Sequence, residues 1–172
     1  MKYINIKYYD SPVGVILLGS LDEKLCLADW KYRKMRTYID TRIQKYLHAE
    51  YVDESSDIID KTIIQLEEYF THKRKVFDLP LLMIGTNFQK SVWEGLMNIP
   101  YGKTASYLEL AKNIGNEKAV RAVASANGAN AISILIPCHR IIGSDGSLTG
   151  YAGGLDVKKK LLALEKEPYT GV

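Results

Sequence analysis

Cys138, His139 and Arg140 follow one another in the run Ile136-Pro137-Cys138-His139-Arg140. A thiol beside an imidazole and a guanidinium sits in a setting that lowers a thiol pKa, and the thiolate is the form that attacks. The sequence therefore points first to covalent chemistry at Cys138. The apolar, β-prone residues Ile134-Leu135-Ile136 lead into this run and predict an extended segment. Neighbours in an extended chain face opposite sides, so Cys138 and His139 would meet through a bridging water. The imidazole also needs a partner to fix its tautomer. A helix predicted over residues 156–167 offers one. Its apolar stripe is Val157, Leu161, Leu162 and Leu164, and Glu165 falls inside that stripe. A carboxylate there needs a partner. Two readings stand side by side: a structural ion pair with Arg140, or a Cys138–water–His139–Glu165 relay.

Other reactive groups are sparse. Cys26 lies in the strand-like run LCLADW and reads as a small buried hydrophobe. Two cysteines make no disulfide framework, and a reducing compartment is expected. The three histidines, His48, His72 and His139, have no metal-ligand spacing with either cysteine. Neither a metal nor a cofactor is expected. Residues 143–154 form a glycine-rich loop with one aromatic, Tyr151. No Gly-Lys-Ser/Thr follows, so it is not a phosphate-binding loop. It suits a plain flexible loop, or a pocket wall with Tyr151 as a platform for a flat ligand.

Elements that position these groups can be read from periodicity and caps. Strands are predicted over residues 3–9, with Ile4, Ile6 and Tyr8 on one face, and over residues 13–18 and 25–30. Helices are predicted over residues 32–47 and 56–71, the second with Ile59, Ile63, Leu66 and Phe70 on one stripe. The chain divides near residues 80–86, into an N-terminal half, 1–83, and a C-terminal half, 84–172. Thr86…Gln89 and Ser106…Glu109 have capping-box form and open two helices. Gly115 closes the second, and Asn116 is expected to cap a helix over residues 117–127. Two short helices joined at Gly-Asn have helix-turn-helix spacing. The second carries Ala119, Ala122, Ala124, Ser125 and Ala126, with Arg121, Ser125 and Gly128 on one face. By that spacing the second helix would be the recognition element, with one long cation on a smooth surface; a tightly packed core helix would use the same small residues.

Hydrophobic residues make up 47% and charged residues 25%, the balance of a globular protein. No apolar run approaches the ~18 residues of a membrane span, and the N-terminus has no secretory apolar core. A cytoplasmic location is expected, or a nuclear one in a eukaryote. The net charge of +3 lies wholly in the second half: residues 1–83 carry 13 basic and 13 acidic side chains, residues 84–172 carry 10 and 7. A polyanionic partner fits this bias, as does a solvated surface.

Taken in order, Phe88-Gln89, Val92-Trp93, Ile99-Pro100-Tyr101-Gly102-Lys103-Thr104, Ser106-Tyr107, Arg121-Ala122-Val123, Ile136 to Arg140, Gly150-Tyr151-Ala152-Gly153-Gly154 and Lys160 to Glu165 resemble the O6-alkylguanine-DNA alkyltransferases. The resemblance is close over about residues 86–165. It implies an α/β (α+β) fold: a ribonuclease-H-like sheet-and-helix domain, then a winged helix-turn-helix domain holding the active cysteine. It implies that Cys138 accepts the alkyl group, with His139, through water, and Glu165 as activators and Tyr107 as proton donor to the leaving guanine. Arg121 would fill the space of the flipped nucleotide, with Ala122 and Ser125 against DNA. Tyr151, Ala152, Asn130 and Ile141 would form the pocket, Asn130 also bracing the turn before the active-site segment. The implied partner is double-stranded DNA carrying O6-alkylguanine (or O4-alkylthymine), bound through the minor groove by a monomer, each molecule acting once. Two positions depart from the family pattern: Ala131 where Pro is usual, which predicts a less rigid turn, and Ala152 where some members have Ser. A zinc-cysteine module ahead of the first strand is not expected, nor is a transcription-activating role.

Three other classes compete. Alkyltransferase-like lesion binders lack the cysteine, so Cys138 argues against them. A sequence-specific regulator needs several base-reading side chains on its recognition helix, where Arg121 is nearly alone. A Cys-His hydrolase needs an oxyanion hole and repeated turnover.

Overall fold

The computed structural model describes residues 2–167. Strands β1 (Lys2–Ser11), β2 (Gly14–Leu21) and β3 (Lys24–Trp30) form an antiparallel meander. Asp22 and Glu23 close the β2–β3 hairpin with φ of 49° and 63°, the left-handed pair that a two-residue turn between twisted strands demands. A fourth strand that the sequence reading missed, β4 (Ala49–Val52), pairs parallel with β1, giving the order β3-β2-β1-β4. Four residues are too short to show alternation, and the partner lies over forty residues upstream. Only the start of the expected Ile4–Ile6–Tyr8 face is buried: Ile4 is fully covered, Ile6 half-buried and Tyr8 exposed.

Helix α1 (Arg36–Leu47) starts four residues later than expected. Residues 31–35 instead turn, because Arg33 and Arg36 both reach back to the buried Asp29 at 3.0 Å. Helix α2 (Asp57–Phe70) begins where Ser56 Oγ accepts from the Ile59 amide, and Asp57 and Asp60 suit the positive end of its dipole. Its buried stripe is Ile58, Ile59, Thr62, Leu66, Tyr69 and Phe70, whereas the expected Ile63 is half-buried.

In the second half, both capping boxes form. Thr86 and Gln89 open α3 (Asn87–Met97), and Ser106 and Glu109 open α4 (Tyr107–Asn113). Gly115, at φ +77°, turns the chain towards α5 (Val120–Gly128). Asn116 makes no side-chain cap; residues 117–119 form a 3-10 turn that carries the chain into α5. Helix α3 packs on α5, and Trp93 Nε1 donates to the Ala126 carbonyl at 2.8 Å. Gly85 permits this seating, since a Cβ there would lie 2.4 Å from the Trp93 ring. Strands β5 (Ala105–Ser106) and β6 (Ile141–Ile142) pair in parallel, and α6 (Leu155–Lys166) completes the chain.

One core cluster holds residues of both sequence halves, including Ile16, Leu18 and Leu66 with Val92, Leu96 and Ile136. Backbone joins them too. The Ala28 amide donates to the Ala131 carbonyl at 2.9 Å, and the Ser133 amide donates to the Ala28 carbonyl at 2.7 Å. Residues 131–133 therefore lie along β3, and residues 134–136 turn away from it. They are not the extended run expected: Ile134 takes φ 72°, and a turn at residues 134–135 brings Ser133 and Ile136 together. Among the described residues, no helix is long and apolar enough to cross a membrane.

Candidate active site

Cys138 opens a 3-10 turn, Cys138–Arg140, rather than ending a strand. It lies at the base of a cavity of about 230 Å³ lined by Tyr107, Ala124, Asn127, Gly128, Gly150, Tyr151 and Ala152. One wall is thus the small-residue helix α5, and the other is the glycine-rich loop. Asn130 stands behind the thiol. Its Nδ2 donates to Cys138 Sγ (3.2 Å) and to the Ile136 carbonyl (2.9 Å), and its Oδ1 accepts from the Ile132 amide (2.9 Å). Arg33 donates to the Asn130 carbonyl at 3.1 Å and to that of Gly128. The turn is therefore held by side chains from both halves.

The three residues expected to form a relay split into two groups. His139 is fully buried, and its Nε2 lies 2.7 Å from Glu165 Oε2. The same carboxylate accepts from Arg140 Nε (2.8 Å), Arg140 Nη2 (3.0 Å), Tyr69 hydroxyl (2.6 Å) and the Gly102 amide (3.4 Å). Arg140 also donates to the Ile99 carbonyl at 2.7 Å. Glu165 is thus the ion-pair partner of Arg140 and, through its other contact, holds the His139 ring. Burial pushes the Glu165 carboxyl up, but its bonds to His139 and Arg140 outweigh this and hold it at about 2. Burial also pushes the His139 imidazole below its usual range, against the opposing pull of Glu165. A neutral ring beside an ionised carboxylate carries its proton on Nε2. Nδ1 is then a bare lone pair, buried and without a partner among the described residues.

The thiol does not behave as its neighbours in sequence suggested. Burial raises its pKa, and the Asn130 bond only partly offsets this. Arg140 does not lower it, because the guanidinium is spent on Glu165 and Ile99. Burial therefore favours the protonated form of the Cys138 thiol. Cys26, equally buried, is pushed up to about 12 by burial.

Tyr107 and Tyr151 both line the cavity. Tyr151 stands edge-on to Trp30 (6.0 Å between ring centroids) and to His139 (6.5 Å). Gly153 lets Trp30 approach the loop, since a Cβ there would meet the indole at 2.8 Å. Arg121, Ala122, Ser125 and Gly128 are exposed on α5, and the Arg121 guanidinium has no partner among the described residues. Two expected pocket residues are not in the wall. Asn130 lies beneath the thiol, and Ile141 is fully buried where β6 pairs with β5. Sequence reasoning missed Tyr69 and Lys158. Lys158, Leu161 and Glu165 share one buried face of α6, at the i, i+3, i+7 spacing that singled out Glu165. Tyr69 stands three residues after Leu66 on the α2 stripe. Among the described residues, no cluster of His, Cys, Asp or Glu side chains could hold a metal ion.

Residues 4–83 match the family described as 6-O-methylguanine DNA methyltransferase, ribonuclease-like domain, and residues 87–167 match its DNA binding domain. The chain belongs to the 6-O-methylguanine DNA methyltransferase family. Among its relatives, the methylated-DNA–protein-cysteine methyltransferase of Methanosarcina barkeri is 48% identical over 162 residues, covering 92% of this chain and 97% of its own. The enzyme of that name from Haemophilus influenzae is 42% identical, covering 98% and 90%. A crystal structure of Mycobacterium tuberculosis OGT in complex with DNA superposes with a TM-score of 0.80 at 38% identity, covering 95% of this chain and 92% of that one. The mixed α/β architecture, with an N-terminal sheet and a C-terminal helical half, is that of this family.

Proposed function

We propose that this protein repairs DNA by direct reversal, moving a methyl or larger alkyl group from guanine O6 to Cys138. The observation that carries this reading is the placement of a buried thiol at the base of a cleft walled by a small-residue helix and a glycine-rich loop. The relatives' shared name supports the same reaction. An O6-alkyl carbon in a duplex is out of reach until its nucleotide is turned out of the stack. Helix α5 presents Ala122, Ser125 and Gly128 to the minor groove, where lack of bulk permits close approach. Arg121 is the cation placed to fill the vacated space. The extruded base enters the cleft beside Tyr151, and the backbone amide of Ala152 is its hydrogen-bond donor.

Cys138 then attacks the alkyl carbon in line with the C–O6 bond. Its proton passes through water to Nδ1 of His139, and Glu165 stabilises the imidazolium that forms. The electron pair of the broken bond stays with guanine, which takes a proton from Tyr107. The product thioether is inert and no second thiol is placed to release it, so each molecule acts once. The protein works as a monomer in the cytoplasm, or in the nucleus of a eukaryotic cell, and O4-alkylthymine is a second substrate. The sequence halves 1–83 and 84–172 act as scaffold and reacting unit.

The test is a titration of excess O6-methylguanine duplex against a known amount of protein, followed by intact-mass and peptide analysis. Transfer should plateau at one methyl per protein, on Cys138. Turnover beyond that, or an adduct elsewhere, refutes the mechanism.

A further inference from the structure

We propose that Thr149 is a positioning residue for the proton-donating phenol of Tyr107; the inference rests on the transfer reaction above. Tyr107 is the first residue of α4, whose opening turn is locked by the reciprocal Ser106–Glu109 bonds. Its ring therefore projects from a rigid element into the cleft that holds Cys138. Its hydroxyl, at the far end of that ring, is 3.0 Å from Thr149 Oγ1. Thr149 belongs to the glycine-rich loop, where glycines stand at 143, 146 and 150. It is secured from behind. The Nζ of Lys158 donates to the Thr149 carbonyl at 3.2 Å, and Lys158 is fully buried on α6. Burying an ammonium is costly unless it is bonded, and this one is directed at a single loop carbonyl. The outcome is a hydroxyl held still beside the phenol.

The direction of that bond follows from the chemistry. The phenol must give its own proton to the departing base, so Thr149 Oγ–H donates to the Tyr107 oxygen. As the Cys138 Sγ–C bond forms and the C–O6 bond breaks, the Tyr107 proton moves to guanine and the phenol oxygen becomes anionic. The Thr149 hydroxyl is then a donor aimed at the charge that develops, the arrangement that accelerates a reaction most. Solvent reprotonates the phenolate once guanine leaves, and the thiol proton held on His139 returns to solvent.

Thr149 is half-exposed on a loop, so its substitution should spare the fold. Single-turnover transfer from O6-methylguanine duplex is measured for the wild type and for Thr149→Val, Thr149→Ser, Tyr107→Phe and the Tyr107→Phe/Thr149→Val pair. A lost hydrogen bond to a developing charge should slow Thr149→Val by about 10-fold. Thr149→Ser should recover most of the rate, and DNA affinity should be the same throughout. The decisive value is the double variant, which should be as slow as Tyr107→Phe alone. Losses that multiply, or a Thr149→Val protein at the wild-type rate, overturn the proposal. A wild type that leaves Cys138 unmodified would instead refute the function, and this proposal with it.

Discussion

Replacing Glu165 by Gln tests the centre of the site. The carboxylate accepts from His139, Arg140, Tyr69 and the Gly102 amide, all within 3.4 Å. An amide of the same shape keeps one acceptor oxygen and turns an NH2 towards groups that are themselves donors. Two effects follow. The first is on stability. A carboxyl held at about 2 instead of 4.5 contributes on the order of 3 kcal/mol at neutral pH. Because the folded pKa lies below the unfolded one, that contribution is complete above about pH 4.5 and is lost as pH falls towards 2. Glu165→Gln should therefore unfold more easily than wild type at pH 7, and the gap should narrow through the acid window. The second effect is on rate. In the proposed relay, the imidazolium formed when His139 takes the thiol proton would lose its charged partner at 2.7 Å. A charge-assisted bond is worth roughly 1.5–3 kcal/mol, so transfer should slow by about 10- to 150-fold. Quenched single-turnover transfer at pH 7, with thermal melts from pH 3 to 8, reads both. A folded variant reacting within twofold of wild type would refute the relay and leave Glu165 a structural anchor for Arg140.

Cys138→Ser should abolish transfer and leave duplex affinity unchanged in a gel-shift titration, whereas Cys26→Ser should transfer normally. Arg121→Ala should slow repair of duplex DNA by about 10- to 100-fold, since extrusion costs a few kcal/mol, yet react normally with free O6-alkylguanine; equal loss on both substrates would assign Arg121 to the chemistry instead. Asn130→Ala removes bonds to the Ile132 amide, the Ile136 carbonyl and Cys138 Sγ. Denaturant unfolding should show a loss of about 2–4 kcal/mol, and a neutral result would mean that the turn is held by Arg33 alone.

Much of this site was legible in the chain. Glu165 was found because a carboxylate on an apolar stripe needs partners, and the capping boxes at Thr86 and Ser106 are local rules that tertiary context did not override. What failed were inferences that depend on non-local contacts. The β-prone run at 134–136 bends because Asn130 braces its base and Ala28, far upstream in sequence, engages its flank. The thiol pKa was judged from adjacent residues, but Arg140 is spent on Glu165 and burial decides the direction. Helix α1 begins late because Asp29 draws Arg33, in the preceding turn, and Arg36, at the helix start, back towards β3. Strand β4 was invisible because its pairing with β1 spans a helix.

The pairing of β3 with residues 131–133 also governs how the polypeptide can be made. At ~5–20 residues per second, the roughly one hundred residues between Ala28 and Ala131 take about 5–20 s to leave the ribosome. For part of that interval the hairpin can exist, but its outer strand has no neighbour. Leu25 is covered first, by Pro80 and Leu82 (2.9 and 2.8 Å). Ala28 must wait for the segment that also carries the reactive thiol. An unpaired strand edge invites association with other chains. A fragment ending near residue 83 would keep that edge open permanently, so it should aggregate when expressed alone and be rescued by supplying residues 84–172 in trans.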